Sequence, residues 1–145
     1  VMSQCATTYS ETYVQEMTGK AIKEMLEGVA DNLFDPDPYL QSGGDMVRVG
    51  GLDYTIDPTK PLGQRISEVR LDNGEVIADD KNYSVSGWAT VNRTPEGRLL
   101  WDIIADYLKA ERDENMVIKL PKVNNPKVVG VSDNPGFADY PGEWA

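Results

Sequence analysis

An α+β fold with a mixed or mostly antiparallel sheet is predicted from three observations. Two stretches carry apolar residues at helical spacing, and they are widely separated in the chain. The segment between them alternates apolar and polar residues in short runs. Those runs are joined by turn signals, Asp72-Asn73-Gly74 above all, and not by crossover helices.

The elements follow in chain order. Tyr13-Val14-Gln15-Glu16-Met17 predicts a short strand, and Thr18 is placed to cap the helix that follows. Ile22, Met25, Leu26, Val29, Ala30 and Leu33 recur at intervals of three, four and seven, the spacing of one helix face. Lys23, Glu24 and Glu27 fall on the solvent side of that helix, and Asp35-Pro36-Asp37-Pro38 ends it. Asp45-Met46-Val47-Arg48-Val49 predicts a strand, interrupted by Gly50-Gly51. Leu52, Tyr54 and Ile56 predict a half-buried strand, and Ile66, Val69 and Leu71 another with an irregularity near Ser67-Glu68. Asn73-Gly74 predicts a hairpin returning through Glu75-Val76-Ile77, because this pair accepts positive φ at little cost. Tyr83, Val85 and Gly87 continue a strand. Thr94-Pro95-Glu96 predicts a helix start, with Leu100, Ile103, Ile104, Tyr107 and Leu108 as the buried face and Trp101 at its edge. The domain core is expected to span residues 1–112. An extended, Pro-punctuated tail occupies residues 113–145, with Met116-Val117-Ile118 and Val128-Val129 as short strands or docking strips.

Composition excludes several functions. The 145 residues predict one compact domain. The net charge of -10 makes the chain a poor general binder of nucleic acid or anionic membrane, since both require cations facing phosphate. Histidine is absent, which excludes Ser-His-Asp chemistry, Cys-His chemistry and His-ligated zinc within this chain. Cys5 is the single cysteine and has no local base, so neither an internal disulfide nor a catalytic thiol is expected. No apolar run approaches the roughly 20 residues of a membrane span, and the opening residues lack the pattern of a signal peptide. The expectation is a soluble acidic domain without the common catalytic groups.

Two stretches carry candidate site residues. Gly43-Gly44-Asp45-Met46-Val47-Arg48-Val49-Gly50-Gly51 has paired glycines at both ends. On a strand, Met46 and Arg48 would share a face, a combination that suits an anionic, partly apolar ligand. From spacing alone the plainer reading is an ordinary strand with turn glycines. The stretch is not a phosphate-binding P-loop, because it lacks the Gly-Lys-Ser/Thr ending and opens no helix. Trp88, Asn92 and Arg93 lie between a strand and a helix, where sheet-edge sites occur, and an ordinary loop with one anchoring aromatic fits them as well. The acidic pairs Asp79-Asp80 and Asp35/Asp37 lack calcium-loop spacing and are expected to be turn formers.

Several longer segments resemble a known family. Tyr13-Val14-Gln15-Glu16-Met17-Thr18-Gly19, Val29-Ala30-Asp31-Asn32-Leu33-Phe34-Asp35-Pro36-Asp37-Pro38-Tyr39, and the stretch from Gly43 to Leu52 resemble the C-terminal domain of the SoxB thiosulfohydrolases of bacterial sulfur oxidation. These enzymes are relatives of 5′-nucleotidases. The broader nucleotidase pattern is carried by Tyr54-Thr55-Ile56-Asp57, Pro61-Leu62-Gly63-Gln64-Arg65-Ile66 and Tyr83-Ser84-Val85. The resemblance implies a 5′-nucleotidase C-terminal-like α+β domain, beginning inside that domain. It also implies an N-terminal metallophosphoesterase domain of the same protein, holding two manganese ions outside this chain.

The resemblance also implies a function and a site. Nucleotidases stack the base between two phenylalanines; here Met46 stands in the place of the first, and the loop and aromatic of the second are lost around residues 87–97. Each lost ring removes about 0.5–1.5 kcal/mol of stacking, which favours the SoxB branch. There the substrate is a thiosulfonate on a cysteine of a carrier protein, SoxYZ, from which metal-activated water releases sulfate in the periplasm. The implied substrate-binding residues are Asp45, Met46, Arg48, Trp88, Asn92 and Arg93, with Arg48 steering the anion and Met46 and Trp88 as apolar walls. The isolated domain is expected to be inactive. A 5′-nucleotidase C-terminal domain and a non-catalytic module docking a protein through residues 113–145 are the rival readings.

Overall fold

The structure is a computed structural model that describes residues 11–88, 97–112, 117–118, 122 and 124–130. The described elements are β1 (Thr12–Thr18), α1 (Gly19–Phe34), β2 (Leu52–Ile56), β3 (Ile66–Leu71), β4 (Asn82–Trp88), α2 (Leu100–Ala110) and β5 (Lys127–Val128). They form an α+β arrangement with antiparallel and mixed sheets. The chain divides into two compact units, Val1–Gly19 with Asp80–Lys122 and Lys20–Asp79 with Val123–Ala145.

The second unit holds the buried apolar core found among the described residues. Ile22, Leu26 and Ala30 of α1 are buried, as are Tyr54 and Ile56 of β2, Val69 of β3 and Ile77. The helical periodicity therefore identified the correct face, although Met25 remains exposed and Val29 and Leu33 are half-buried. Glu27 departs from its expected solvent position. It is half-buried, and its two carboxylate oxygens accept the N–H groups of Arg65 (3.0 Å) and Ile66 (2.8 Å). This carboxylate fastens the start of β3 to α1 by accepting two backbone donors that burial would otherwise leave costly.

The three-stranded sheet has the order β3-β2-β5, antiparallel between β2 and β3 and parallel between β2 and β5. The end of β2 is accordingly more enclosed than a half-buried strand: Tyr54, Thr55 and Ile56 are consecutive buried residues. The expected irregularity near Ser67-Glu68 is present. Asp53 pairs with Arg70 and Thr55 with Ser67, so Glu68 and Val69 together oppose Tyr54. Glu68 adopts a φ of 52°, the left-handed conformation that a bulge allows, and its carboxylate accepts the Thr55 hydroxyl at 2.9 Å.

The predicted hairpin forms at Asp72-Asn73-Gly74. Gly74 N–H donates to Leu71 O at 2.8 Å, and Leu71 N–H donates to Glu75 O at 2.8 Å. Only Gly74 takes the positive φ, 86°, so the turn is a three-residue loop and Asn73 stays in ordinary space. Asn73 instead accepts the Glu75 N–H on its side-chain oxygen at 2.9 Å. The returning arm continues through the Arg70–Val76 bridge to Ile77, whose N–H reaches Val69 O at 3.1 Å.

In the first unit, β1 and β4 form an antiparallel ribbon running from Thr12 opposite Trp88 to Thr18 opposite Asn82. Tyr13, Gln15 and Met17 share the half-buried face with Gly87, Val85 and Tyr83, as the alternation predicts. A Cβ at Gly87 would lie 2.5 Å from the Tyr13 hydroxyl oxygen, so glycine is what lets the Tyr13 ring cross this strand. Helix α1 begins immediately after Thr18, but two of its first N–H groups are taken by loop carbonyls. Gly19 donates to Lys81 O at 3.0 Å and Lys20 to Asp79 O at 3.1 Å.

Two expectations fail at α2. It begins at Leu100 and not at Thr94-Pro95-Glu96, and its cap residue Leu99 is extended with no side-chain bond. The preceding residues are drawn into pairing with β1 instead: Gly97 N–H donates to Thr12 O, and Thr12 N–H to Arg98 O. Residues 94–96 themselves lie outside the described residues. Further, none of the helix is buried, and Ile103 and Tyr107 of the predicted core face are exposed. No described element covers that face completely.

Candidate functional site

The Gly-bounded stretch from residue 43 to residue 51 is not a strand. Residues 46–49 have no ladder partner and no regular structure. Paired glycines at both ends remove the conformational bias that would keep the segment extended, and Gly51 turns the chain at a φ of 76° into β2. The consequence is that Met46 and Arg48 do not share a strand face. Met46 is half-buried, whereas the Arg48 side chain is 93% exposed.

Asp45 and Arg48, three residues apart, are brought together at 3.7 Å. An exposed pair at that distance contributes about 0–1 kcal/mol. An arriving anion can therefore displace the Asp45 carboxylate from the guanidinium at little cost. Trp88 belongs to the other unit, at the end of β4, where it is half-exposed on the outer face of the ribbon. Asn92 and Arg93 lie outside the described residues.

The loop that carries this stretch leaves α1 through two side-chain-capped turns. Asp35 Oδ1 accepts the Asp37 N–H at 2.9 Å, and Asp37 Oδ1 accepts the Tyr39 N–H at 2.9 Å. Both aspartates are thus turn formers, as their spacing predicts. A third such turn occurs at Asp57, whose carboxylate accepts both the hydroxyl (2.6 Å) and the N–H (3.0 Å) of Thr59. The Thr59 hydroxyl holds the Asp57 carboxyl below the ordinary aspartate range, and its N–H and Lys60 act in the same direction.

Residues to which the sequence assigned no site role hold the loops in place. Arg65 is 4% exposed, donating to Asp31 Oδ1 at 2.7 Å and to Phe34 O at 2.9 Å. The Asp31 carboxylate also accepts the Gly63 N–H at 3.0 Å. Glu27 and Asp31, one helical turn apart, thereby fasten the whole approach to β3 onto α1. That i,i+4 pair of carboxylates was visible in the sequence, but nothing local to it indicated that the partner lay more than thirty residues away. Asn124 is a second such case: its amide donates to Asp53 Oδ1 at 3.1 Å and Asp72 Oδ1 at 2.6 Å. It anchors the segment that supplies β5. The Tyr54 hydroxyl is buried without a hydrogen-bond partner, and burial pushes its pKa up.

The described residues do not assemble a donor set that fits a di-metal centre. The chain has no histidine, and among the described residues no group of three or more carboxylates or thiols is placed to hold a metal ion. Nor is any described helix long and apolar enough to cross a membrane.

Similarity to known proteins agrees with this architecture. Residues 4–98 match the family described as 5′-nucleotidase, C-terminal domain. A solved structure of the sulfate thiohydrolase SoxB from Thermus thermophilus, in complex with glycerol, superposes with a TM-score of 0.70 at 31% identity. It covers 85% of this chain and 23% of the SoxB chain. A putative 5′-nucleotidase from Staphylococcus aureus, in complex with α-ketoglutarate, superposes with a TM-score of 0.62 at 18% identity, over 88% of this chain and 29% of the other. The latter likeness speaks to the fold alone. The trifunctional nucleotide phosphoesterase protein YfkN of Bacillus subtilis (strain 168) is 35% identical over 78 residues, which is 51% of this chain and 5% of YfkN. The chain thus spans a quarter or less of the SoxB and YfkN chains. A family match across more than half of the chain, the α+β architecture and the superposition on SoxB converge, and the chain belongs to the 5′-nucleotidase C-terminal domain family.

Proposed function

We propose that this chain is the substrate-recognition domain of a SoxB-like sulfur hydrolase, acting on a thiosulfonate carried by a cysteine of a SoxYZ-type protein in the periplasm. The observation that carries the reading is the likeness to SoxB: 31% identity with a TM-score of 0.70 over 85% of the chain. Met46 supports it, since a half-buried thioether in the Gly-bounded loop offers no ring to stack a nucleobase.

In this reading the chemistry is split between two domains. A metallophosphoesterase domain outside this chain would hold two manganese ions, and these would supply activated water. Attack of the water oxygen on the terminal sulfone sulfur would break the S–S bond, leaving sulfate and a carrier persulfide, with the water's protons passing to solvent. This chain recognises and positions. Arg48, loosely held by Asp45, meets the sulfonate charge. Met46 and Trp88 are separate apolar contacts for the carrier's arm, and Asn92 and Arg93 add polar ones. The partly exposed apolar side of α2, with Ile103 and Tyr107 open to solvent, is available as a docking surface for the metal-bearing domain and supports the two-domain reading.

The test is sulfate release by the full-length, manganese-loaded protein from a thiosulfonate-loaded carrier. Release is expected, and Arg48→Ala should raise KM for the carrier substrate. Unchanged kinetics would remove Arg48 from the site. The 35% identity to the nucleotide phosphoesterase YfkN favours a second reading, a nucleotide hydrolase. Hydrolysis of 5′-nucleotides without any sulfate release would establish that reading over the first.

A further inference from the structure

The hairpin turn between β3 and its returning arm brings together the reacting groups of a self-modification. Asn73 is exposed, and the next residue in the chain is Gly74. An asparagine followed by glycine is able to cyclise, because no side chain on the glycine obstructs its backbone nitrogen. Here the space beside Gly74 is open: a Cβ built there would meet nothing within 4 Å. Asn73 Oδ1 accepts the Glu75 N–H at 2.9 Å. That bond spans Gly74, so it turns the side-chain amide toward the Gly74 peptide. It also places a donor on the oxygen that gains negative charge when the amide carbon is attacked. One contact opposes the reaction. The Gly74 N–H, which must give up its proton, donates to Leu71 O at 2.8 Å. Such a bond slows the step by about tenfold at most, because water replaces most of it when it opens.

We propose that Asn73 is a site of spontaneous modification, converted to isoaspartate and aspartate in the folded protein, and that the isoaspartate loosens the segments held by Asp72. Hydroxide takes the Gly74 amide proton, and the nitrogen's electron pair forms a bond to Asn73 Cγ. The Cγ–Nδ2 bond then breaks, and ammonia leaves with a proton from water. Water opens the resulting cyclic imide at either carbonyl, and no oxidant or reductant takes part. Opening at Cγ gives aspartate. Opening at the backbone carbonyl carbon gives isoaspartate, in which the chain runs through Cβ and Cγ. The chain is then longer by a methylene group, inside a turn closed by Gly74 N–H to Leu71 O and Leu71 N–H to Glu75 O, each at 2.8 Å. Both bonds cannot keep that geometry, and Asp72 shifts with them. Asp72 N–H donates to Gly51 O at 3.2 Å, at the end of the Gly-bounded stretch that carries Met46 and Arg48. Its carboxylate accepts the Asn124 amide at 2.6 Å, on the segment that supplies β5. The modification thus reaches both segments through one residue.

The experiment incubates the full-length protein in mildly alkaline buffer beside a free peptide spanning residues 70–77. Peptide mass spectrometry follows the change from amide to acid at Asn73, and an isoaspartyl methyltransferase detects the isoaspartate. Conversion in the protein is expected at a rate within about tenfold of the peptide's. A slower rate, down to the thousandth or less of the peptide's that is expected on the order of the globally unfolded population, would overturn the proposal. So would the same mass gain in Asn73→Ser, which would assign the reaction to another residue. In the isoaspartate fraction, amide exchange at Asp72 and at Val129, whose N–H donates to Ile56 O, should be faster than in unmodified protein. Asn73→Asp keeps both the oxygen that accepts the Glu75 N–H and the length of the backbone, so its exchange should match wild type. Unchanged exchange in the isoaspartate fraction, or equal acceleration in Asn73→Asp, would refute the loosening by a lengthened chain.

Discussion

Replacing Asp31 by alanine removes the partner of the buried guanidinium of Arg65, and the cost can be worked from the contacts. The Asp31 carboxylate accepts Arg65 Nη1 at 2.7 Å and the Gly63 N–H at 3.0 Å. Charge-assisted bonds of this kind contribute about 1.5–3 kcal/mol each, and stranding a buried charge costs about 3–5 kcal/mol. The Asp31 side chain is 26% exposed, so water reaches part of the vacated space and the lower end applies. The expected loss is about 3 kcal/mol. The assay is urea unfolding followed by circular dichroism. Asp79→Ala provides the control, since it removes an ion pair to Lys23 of similar length, 2.6 Å, with the Asp79 side chain 66% exposed. That variant should lose less than about 1 kcal/mol. In the Asp31→Ala background, Arg65→Met should recover stability, because an apolar side chain leaves no unpaired charge. A loss in Asp31→Ala no larger than in Asp79→Ala, or no recovery with Arg65→Met, would refute the view that this pair is the internal fastener of the loop.

Three further outcomes are expected. Gly87→Ala should destabilise the β1–β4 ribbon by about 1–2 kcal/mol, because the new methyl meets the Tyr13 ring; combining it with Tyr13→Ala should cost less than the sum of the two, read from unfolding midpoints. Asn124→Asp should release the Lys127–Val128 strand, since it sets a third carboxylate against Asp53 and Asp72; faster amide exchange at Val129, whose N–H donates to Ile56 O at 2.9 Å, would report it. Thr59→Val should raise the Asp57 carboxyl toward its ordinary range in an NMR titration. Because the folded-state pKa of Asp57 is depressed, its contribution to stability is complete above the ordinary aspartate range. That contribution disappears as pH falls through the depressed value, and the variant should lose this dependence.

Much of the fold was legible in short-range patterns. The core face of α1, the alternation of β4, the irregularity at Ser67-Glu68 and the turn at Asn73-Gly74 each leave a mark in residues close together in the chain, which periodicity and turn chemistry encode directly. The Met46–Arg48 stretch does not form the strand its alternation predicts, because alternation produces a strand only when another strand accepts its backbone, and none does here. The start of α2 was misplaced for a related reason. A favourable capping sequence lost to pairing between Gly97, Arg98 and Thr12, residues far apart in the chain.

By itself the sequence determined the fold class, the family and the absence of histidine chemistry in this chain, since these depend on composition and on contiguous motifs. Tertiary structure decided what Glu27, Asp31, Arg65 and Asn124 do. Their roles depend on partners thirty or more residues away, and a buried charge is affordable only where the folded chain supplies its counter-charge.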